Sequence, residues 1–280
     1  MTKLQTQVDD AMLRPDLLRI AQWIEPGSRV LDLGCNDGTL LAHLRDTRQV
    51  VGTGVELNDQ FALLITPKVV SDYRSDGVSQ TLGDPAAQLD VMLSHVSGAY
   101  LGAWTSHVNF GYDWENDDNY GTRQEVDYYA GYYWQINDNI SLDTMYSKYT
   151  YPGESQFNSS DIIVTLEAYG AYVGGKYSVD TDEDKLNSYI GYRTLLPLDV
   201  ALDARYGNVD YKDDVLWNED FSRSRQSYDY WQVDLTRDLI GVTWGLSYID
   251  TDQSKAECLN FNGYDDLCGP TLVASASKTF

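Results

Sequence analysis

The spacing in this sequence that most suggests chemistry is a glycine turn followed, one strand later, by an acid. Gly34, Asn36 and Gly38 form the turn, and Glu56 lies 22 residues after Gly34. Glycines let a backbone approach a ligand closely, and an acid ending the next strand can accept both hydroxyls of a ribose. Other clusters carry less. The acidic runs 113–118, Asp180 to Asp184 and Asp213-Asp214 offer oxygen ligands to calcium, but Lys185 stands at the glycine position of such a loop and Gly191 at its final glutamate, so they read as solvated loops and no metal is expected. His95 and His107 have no third ligand near them in sequence. Cys258 and Cys268, ten residues apart, read as a loop staple rather than a redox pair, with the reduced form left open; Cys35 stands alone. No Ser-His-Asp order, glycosidase-like carboxylate pair or nucleophile elbow is found, and nothing in the sequence argues for an enzyme.

The elements that would position these residues belong to two regions of opposite character. Residues 1 to 58 contain no tyrosine and ten leucines, and all 22 tyrosines follow residue 70. Residues 1 to 58 carry six Lys+Arg against eight Asp+Glu, and residues 59 to 280 carry fourteen against thirty-five, so most of the net charge of −23 lies in the second region. A surface this acidic repels phosphate backbones and argues against nucleic acid as a partner. No run of 18 apolar residues exists, which excludes a spanning helix but not a barrel of alternating strands. The first 22 residues, interrupted by Asp9, Asp10, Arg14, Asp16 and Arg19, do not have the form of a signal peptide.

In the first region, Leu17, Leu18, Ala21, Trp23 and Ile24 predict a short amphipathic helix ended by Pro26-Gly27. A strand over Arg29 to Leu33, a helix to about Arg45 and a strand over Val50 to Glu56 complete a β-α-β unit. The run Pro26-Gly27-Ser28-Arg29-Val30-Leu31-Asp32-Leu33-Gly34-Cys35, with Asp37-Gly38-Thr39-Leu40-Leu41 and Gly54-Val55-Glu56-Leu57, resembles the start of the methionine-biosynthesis family MetW, which is class I S-adenosylmethionine-dependent methyltransferase-like. The resemblance implies that Asp32, Gly34, Gly38 and Glu56 surround S-adenosylmethionine, and it stops near Asn58. So short a piece is expected to expose both apolar faces of its sheet. The main reading therefore takes no cofactor; S-adenosylmethionine belongs only to the alternative in which this fragment is a methyltransferase-like protein.

Beyond Phe61 the chain alternates with a period of two. Val126, Tyr128, Ala130, Tyr132, Trp134 and Ile136 make one apolar face, opposite Asp127, Tyr129, Gly131, Tyr133 and Gln135. The alternation recurs in Tyr100-Gly102-Trp104-Ser106-Val108-Phe110, Val200-Leu202-Ala204-Tyr206 and Val242-Trp244-Leu246-Tyr248. Twelve strands are predicted, over 64–74, 86–96, 99–110, 123–136, 140–150, 159–169, 171–180, 185–196, 199–210, 226–237, 240–250 and 271–280. Short turns alternate with longer loops at 75–85, 111–122, 151–158, 181–184, 211–225 and 251–270, as in a bacterial outer-membrane barrel whose short turns and termini are periplasmic. Aromatic girdles explain the tyrosine and tryptophan.

The expected fold is thus all-β, an antiparallel transmembrane barrel over residues 59–280 with a truncated β-α-β appendage over 1–58. Lumen candidates are Asp127, Asp143, Lys148, Arg193, Asp203, Arg205, Asp234 and Arg237, whose mixed signs would set an internal field. Val70-Ser71-Asp72-Tyr73-Arg74, Gly77-Val78-Ser79-Gln80-Thr81, Ser97-Gly98-Ala99-Tyr100-Leu101-Gly102, Trp104 and Ser275-Ala276-Ser277-Lys278-Thr279-Phe280 resemble the TorF porin family, with a departure at Ser75-Asp76, where that family has an aromatic or apolar residue and then arginine. The resemblance implies a bacterial outer-membrane channel. The expected partners are outer-membrane lipid and small hydrophilic solutes diffusing passively, with a non-conducting structural barrel as the other reading; homo-oligomerisation is left open.

Overall fold

The computed structural model describes residues 15–35, 38–55, 60–113, 117–180 and 185–280. It divides into two compact units, Met1–Ala62 and Leu63–Phe280.

The first unit comprises α1 (Pro15–Trp23), β1 (Arg29–Leu33), α2 (Thr39–Arg48) and β2 (Val51–Val55). The strands pair in parallel from Arg29↔Val51 to Leu33↔Val55. α2 runs one turn past the expected Arg45, until Gln49 takes a left-handed conformation and returns its N–H to the last carbonyls. The expectation that both sheet faces lie bare is corrected. Val30 turns toward a small core of Ala21, Leu40, Leu44 and Val50, and only the face bearing Leu31, Leu33 and Val51 is exposed.

The second unit is a closed antiparallel barrel of twelve strands, as the alternation predicts. In chain order these are β3 (Phe61–Val70), β4 (Ala86–His95), β5 (Ala99–His107), β6 (Gln124–Asn137), β7 (Ile140–Thr150) and β8 (Ser159–Ala168). There follow β9 (Ala171–Ser178), β10 (Leu186–Leu196), β11 (Val200–Asp210), β12 (Ser227–Leu239), β13 (Val242–Thr251) and β14 (Thr271–Ser277). Each strand neighbours the next, and β14 returns to β3 through Ser275↔Val70 and Ser277↔Lys68. Past the end of β14, Phe280 still exchanges both backbone hydrogen bonds with Ile65. The turns at Tyr169-Gly170 and Ile240-Gly241 place both residues at positive φ, the hairpin geometry whose twist suits the flanking strands.

Strand periodicity sorts side chains to two surfaces. On β6, Tyr128, Tyr132, Trp134 and Ile136 are exposed outward, while Asp127 on the alternate face is buried. On β5, Trp104 pairs with Asp127 and its ring lies tilted 5.4 Å from that of Tyr73, so Tyr100, Gly102, Trp104 and Ser106 face the interior. Between the long loops, α3 (Lys255–Asn262) opens with a Ser254–Glu257 capping box. Cys258 and Cys268 are joined as a disulfide, and Arg225 ties this segment to the preceding loop through Glu257 and Asp252, each at 2.7 Å.

Inside the wall, tyrosine and glycine are matched across strands. Tyr100 pairs with Gly131 and Gly102 with Tyr129; Tyr172 pairs with Gly191 and Gly174 with Tyr189; Gly207 pairs with Tyr230. Each ring lies over its glycine so closely that an added Cβ would overlap it. The hydroxyl then reaches the strand beyond, from Tyr100 to Asp143 at 2.8 Å, Tyr129 to Asp90 at 2.7 Å and Tyr172 to Asp203 at 2.5 Å. Rings laid flat against the wall keep the interior from filling. Gly131→Val is expected to destabilise the barrel by about 1–3 kcal/mol through overpacking, and Tyr100→Phe by about 0.5–1.5 kcal/mol through the lost hydrogen bond. Urea unfolding of the detergent-folded chain measures both.

Candidate functional site

The segment between β3 and β4, expected as an external loop, instead folds back into the barrel. Its signal is local: Asp76-Gly77 is a dipeptide that favours a two-residue hairpin turn, and both residues have positive φ, 50° and 91°. Arg74–Ser75 and Val78–Ser79 form the two short arms. At the base, the buried Asp72 carboxylate accepts hydrogen bonds from Arg74 Nε at 2.7 Å, Ser79 Oγ at 2.6 Å and Thr81 Oγ1 at 3.0 Å. The disulfide segment supports it from outside, with Ser79 N–H donating to the Leu267 carbonyl at 3.0 Å and Arg74 donating to the Gly269 carbonyl at 3.0 Å. Val78 packs with Val209, Leu216, Tyr228, Tyr230, Leu267 and the disulfide.

The tip crosses to the opposite wall, because β9 lies six strands from β3 in either direction. There Lys176 Nζ donates to Asp76 Oδ2 at 2.8 Å, Asn187 Nδ2 to Oδ1 at 2.7 Å, and Tyr228 OH to the Asp76 carbonyl at 3.0 Å. Lys185 stands 3.8 Å away. Gly77 is needed on steric grounds as well, since a Cβ would fall 2.5 Å from the Thr251 methyl. Burial opposes ionisation of Asp76, but the ammonium groups of Lys176 and Lys185 outweigh it and hold the carboxyl below its ordinary range.

The hairpin divides the interior. On the short-turn side lies a chamber of about 840 Å³ bordered by Lys68, Arg74, Arg193, Asp203, Asp234 and Ser275. On the loop side lies a vestibule of about 820 Å³ bordered by Ser79, Gln80, Tyr151, Lys185 and Tyr211. Among the described residues the two share no lining residue.

Six of the eight lumen candidates face inward: Asp127, Asp143, Arg193, Asp203, Arg205 and Asp234, as their cross-strand partners show. Lys148 and Arg237 do not. Lys148 pairs with the exposed Tyr128 and Arg237 with the exposed Trp244, so both project from the outer surface. Parity is the reason: Lys148 is five residues from Asp143 and Arg237 three from Asp234, and an odd separation in a strand changes face. Sequence reasoning missed Asp72, Asp76, Glu125, Asp161 and Lys176. The inward charges of β4 to β8 include the carboxylates Asp90, Glu125, Asp127, Asp143 and Asp161, while β9 to β12 carry both signs, Lys176, Arg193 and Arg205 with Asp203 and Asp234. Arg193 lies 4.3 Å over the Tyr172 ring and bonds Asp203 and Glu167 at 2.8 and 2.7 Å.

The remaining candidates do not assemble. His95 and His107 sit at opposite ends of paired antiparallel strands. Of the calcium-like run only Asp180 is described, and Asp182 and Asp184 lie outside the described residues. In the first unit, Asp32, Gly34 and Gly38 surround the β1–α2 turn, with Gly34 and Gly38 at positive φ, and Glu56 lies outside the described residues. A Cβ at Gly34 or Gly38 would meet no described atom within 4 Å, and with Asn36, Asp37 and Glu56 outside the described residues no methyl-transfer step is derived from this turn.

Comparison with known proteins divides the chain in the same region. The family model Gcw_chp, described as a bacterial protein of unknown function, matches residues 60–280. The chain belongs to this family. The model of methionine biosynthesis protein MetW matches residues 14–84, overlapping the first barrel strand and the hairpin of the Gcw_chp portion. No curated protein matches in sequence. Among solved structures, the NanC porin is 11% identical with a TM-score of 0.46, covering 78% of this chain and 98% of its own. LpxR from Salmonella typhimurium is 8% identical with a TM-score of 0.44, covering 78% and 99%. Omp33 of Acinetobacter baumannii is 9% identical with a TM-score of 0.38, covering 79% and 99%. The architecture of the Gcw_chp barrel rests on its own closed strand order.

Removing one partner of the buried pair at the hairpin tip leaves a charge uncompensated. Asp76→Ala is therefore expected to cost roughly 3–5 kcal/mol of barrel stability, and adding Lys176→Met to recover most of it, as read by guanidinium unfolding in micelles. The depressed carboxyl sets the pH range. Its stabilisation is complete above the ordinary carboxylate value and is lost as pH falls through the lower folded value, so protection of the hairpin from proteolysis should be level from pH 8 to 5 and fall only below about pH 4.

Proposed function

We propose that residues 60–280 form an outer-membrane barrel through which small hydrophilic solutes diffuse passively, with the inner hairpin as its constriction. The observation that carries this reading is the inverted distribution of side chains. Leu101, Val164, Leu166, Val173, Ile190, Leu235 and Leu246 are exposed around the outer circumference, and the interior holds carboxylates, ammonium and guanidinium groups. In water such a surface is a continuous apolar patch far larger than soluble proteins expose; against hydrocarbon it is the required one.

The aromatic residues support the same orientation. Tyr132, Trp134, Tyr192 and Trp244 point outward near the tight turns, and Tyr128, Tyr177 and Tyr206 point outward nearer the long loops. Tyrosine and tryptophan favour the two levels where hydrocarbon meets water. The TorF resemblance of Val70 to Arg74, Gly77 to Thr81 and Ser275 to Phe280 fits a porin, with Asp76 in place of the arginine of that family. Localisation in the bacterial outer membrane and lipid as the main partner follow from this reading. Carboxylates on β4 to β8 and groups of both signs on β9 to β12 would set the field that a passing solute meets.

The hairpin favours one competing reading, a barrel closed for structural purposes. Single-channel recording in a planar bilayer separates the two. Wild-type chain should show small discrete steps, and replacing residues 74–79 by a glycine-serine linker should enlarge them severalfold. Silence of both chains, with heat-modifiable mobility proving that they are folded, would establish the closed barrel.

A further inference from the structure

We infer that the loop-side vestibule is a saccharide-binding site. Its walls are aromatic on two sides. Phe110, Tyr120, Tyr151 and Phe157 form a cluster with centroids 5.1–6.2 Å apart, and Tyr211 meets Phe261 edge-on at 5.0 Å. Between these walls the polar lining is mostly amide, from Gln80, Asn109, Asn260 and Asn262. Among the described residues, none that line it is Asp or Glu.

That combination selects a chemical class. A pyranose presents a C–H face, which packs on aromatic rings, and a rim of hydroxyls that both donate and accept, which amide side chains match. One end of each amide is held by the protein, Gln80 on the Val78 carbonyl, Asn109 by the Gly111 N–H, Asn260 on the Trp217 and Asn218 carbonyls and Asn262 on the disulfide sulfurs, and a hydrocarbon would leave the other ends unmatched. Among the described residues a cation finds no lining carboxylate, and an anion finds Lys185, whose ammonium already stands 3.8 Å from Asp76 and 5.4 Å over Tyr211. The volume of about 820 Å³ lies within the range of small-molecule sites and suits an oligosaccharide of a few units. One wall is preformed, because the disulfide and the Ser79–Leu267 hydrogen bond hold it, which lowers the ordering cost of binding.

As the entry station for a solute, the site rests on the channel reading, but binding is measurable without conductance. Isothermal titration of the full chain in detergent with maltotriose and with the trimer of N-acetylglucosamine, against citrate and adenosine, is the test. At least one trisaccharide should bind with Kd of about 1 mM or below. Phe157→Ala and Tyr211→Ala should each weaken it about tenfold or more, and Arg193→Gln, in the other chamber, should leave it unchanged. Phe157→Leu, which keeps apolar bulk without the ring, reads the same loss if the alanine variant does not fold.

No heat from either trisaccharide at about 10 mM, affinity unchanged in both aromatic variants, or tighter binding of citrate or adenosine would overturn the assignment. Binding by a chain silent in the bilayer would sink the channel reading alone. Conductance without binding would sink this one alone.

Discussion

A β-sheet leaves unpaired N–H and C=O groups at its edges unless it closes, and closure is the constraint on which the larger unit depends. Ser275 and Ser277 meet Val70 and Lys68, and Phe280 exchanges hydrogen bonds with Ile65, so the last residues of the chain complete the first strand's ladder. Once the ladder is closed, every strand has one face inside and one outside, and period-two alternation must agree around twelve strands at once. The β-α-β unit shows the contrast. Its two parallel strands gain a helical cover on one side only, and Leu31, Leu33 and Val51 remain bare on the other.

Closure also creates the problem of what to do with the interior. A barrel this size can fill with side chains or remain partly open. Tyrosines laid on glycines keep bulky residues against the wall and bring hydroxyls to Asp90, Asp143 and Asp203, so that carboxylates in the interior have donors. The open space this leaves is crossed by one hairpin. Asp76 bonds Lys176 and Asn187, which lie directly opposite each other on β9 and β10, and the carbonyl of the same residue takes the Tyr228 hydroxyl. A single residue thereby joins the hairpin to β9 and β10 on the far wall and to β12 beside it, and separates a mixed-charge chamber from an aromatic vestibule.

Much of this was legible without coordinates. Strand number and most boundaries came from alternation, because it is a local consequence of backbone geometry. Two signals were present but passed over. Odd spacing from Asp143 to Lys148 and from Asp234 to Arg237 places the pairs on opposite faces, and of five copies of Tyr-x-Gly the four within strands, at Tyr100, Tyr129, Tyr172 and Tyr189, mark the reciprocal ring-on-glycine pairs. Asp76-Gly77 announces a hairpin in the same local way.

The sequence alone determined that residues 61–280 form short alternating strands with one apolar and one polar face, joined by alternating tight turns and long loops. The tertiary structure alone decided that the 71–85 segment turns inward, that Asp76 meets Lys176 a hundred residues later, and that Trp104 faces the interior. Those outcomes depend on which strands lie opposite one another when the barrel closes. Closure is a property of all twelve strands together, and no window of sequence contains it.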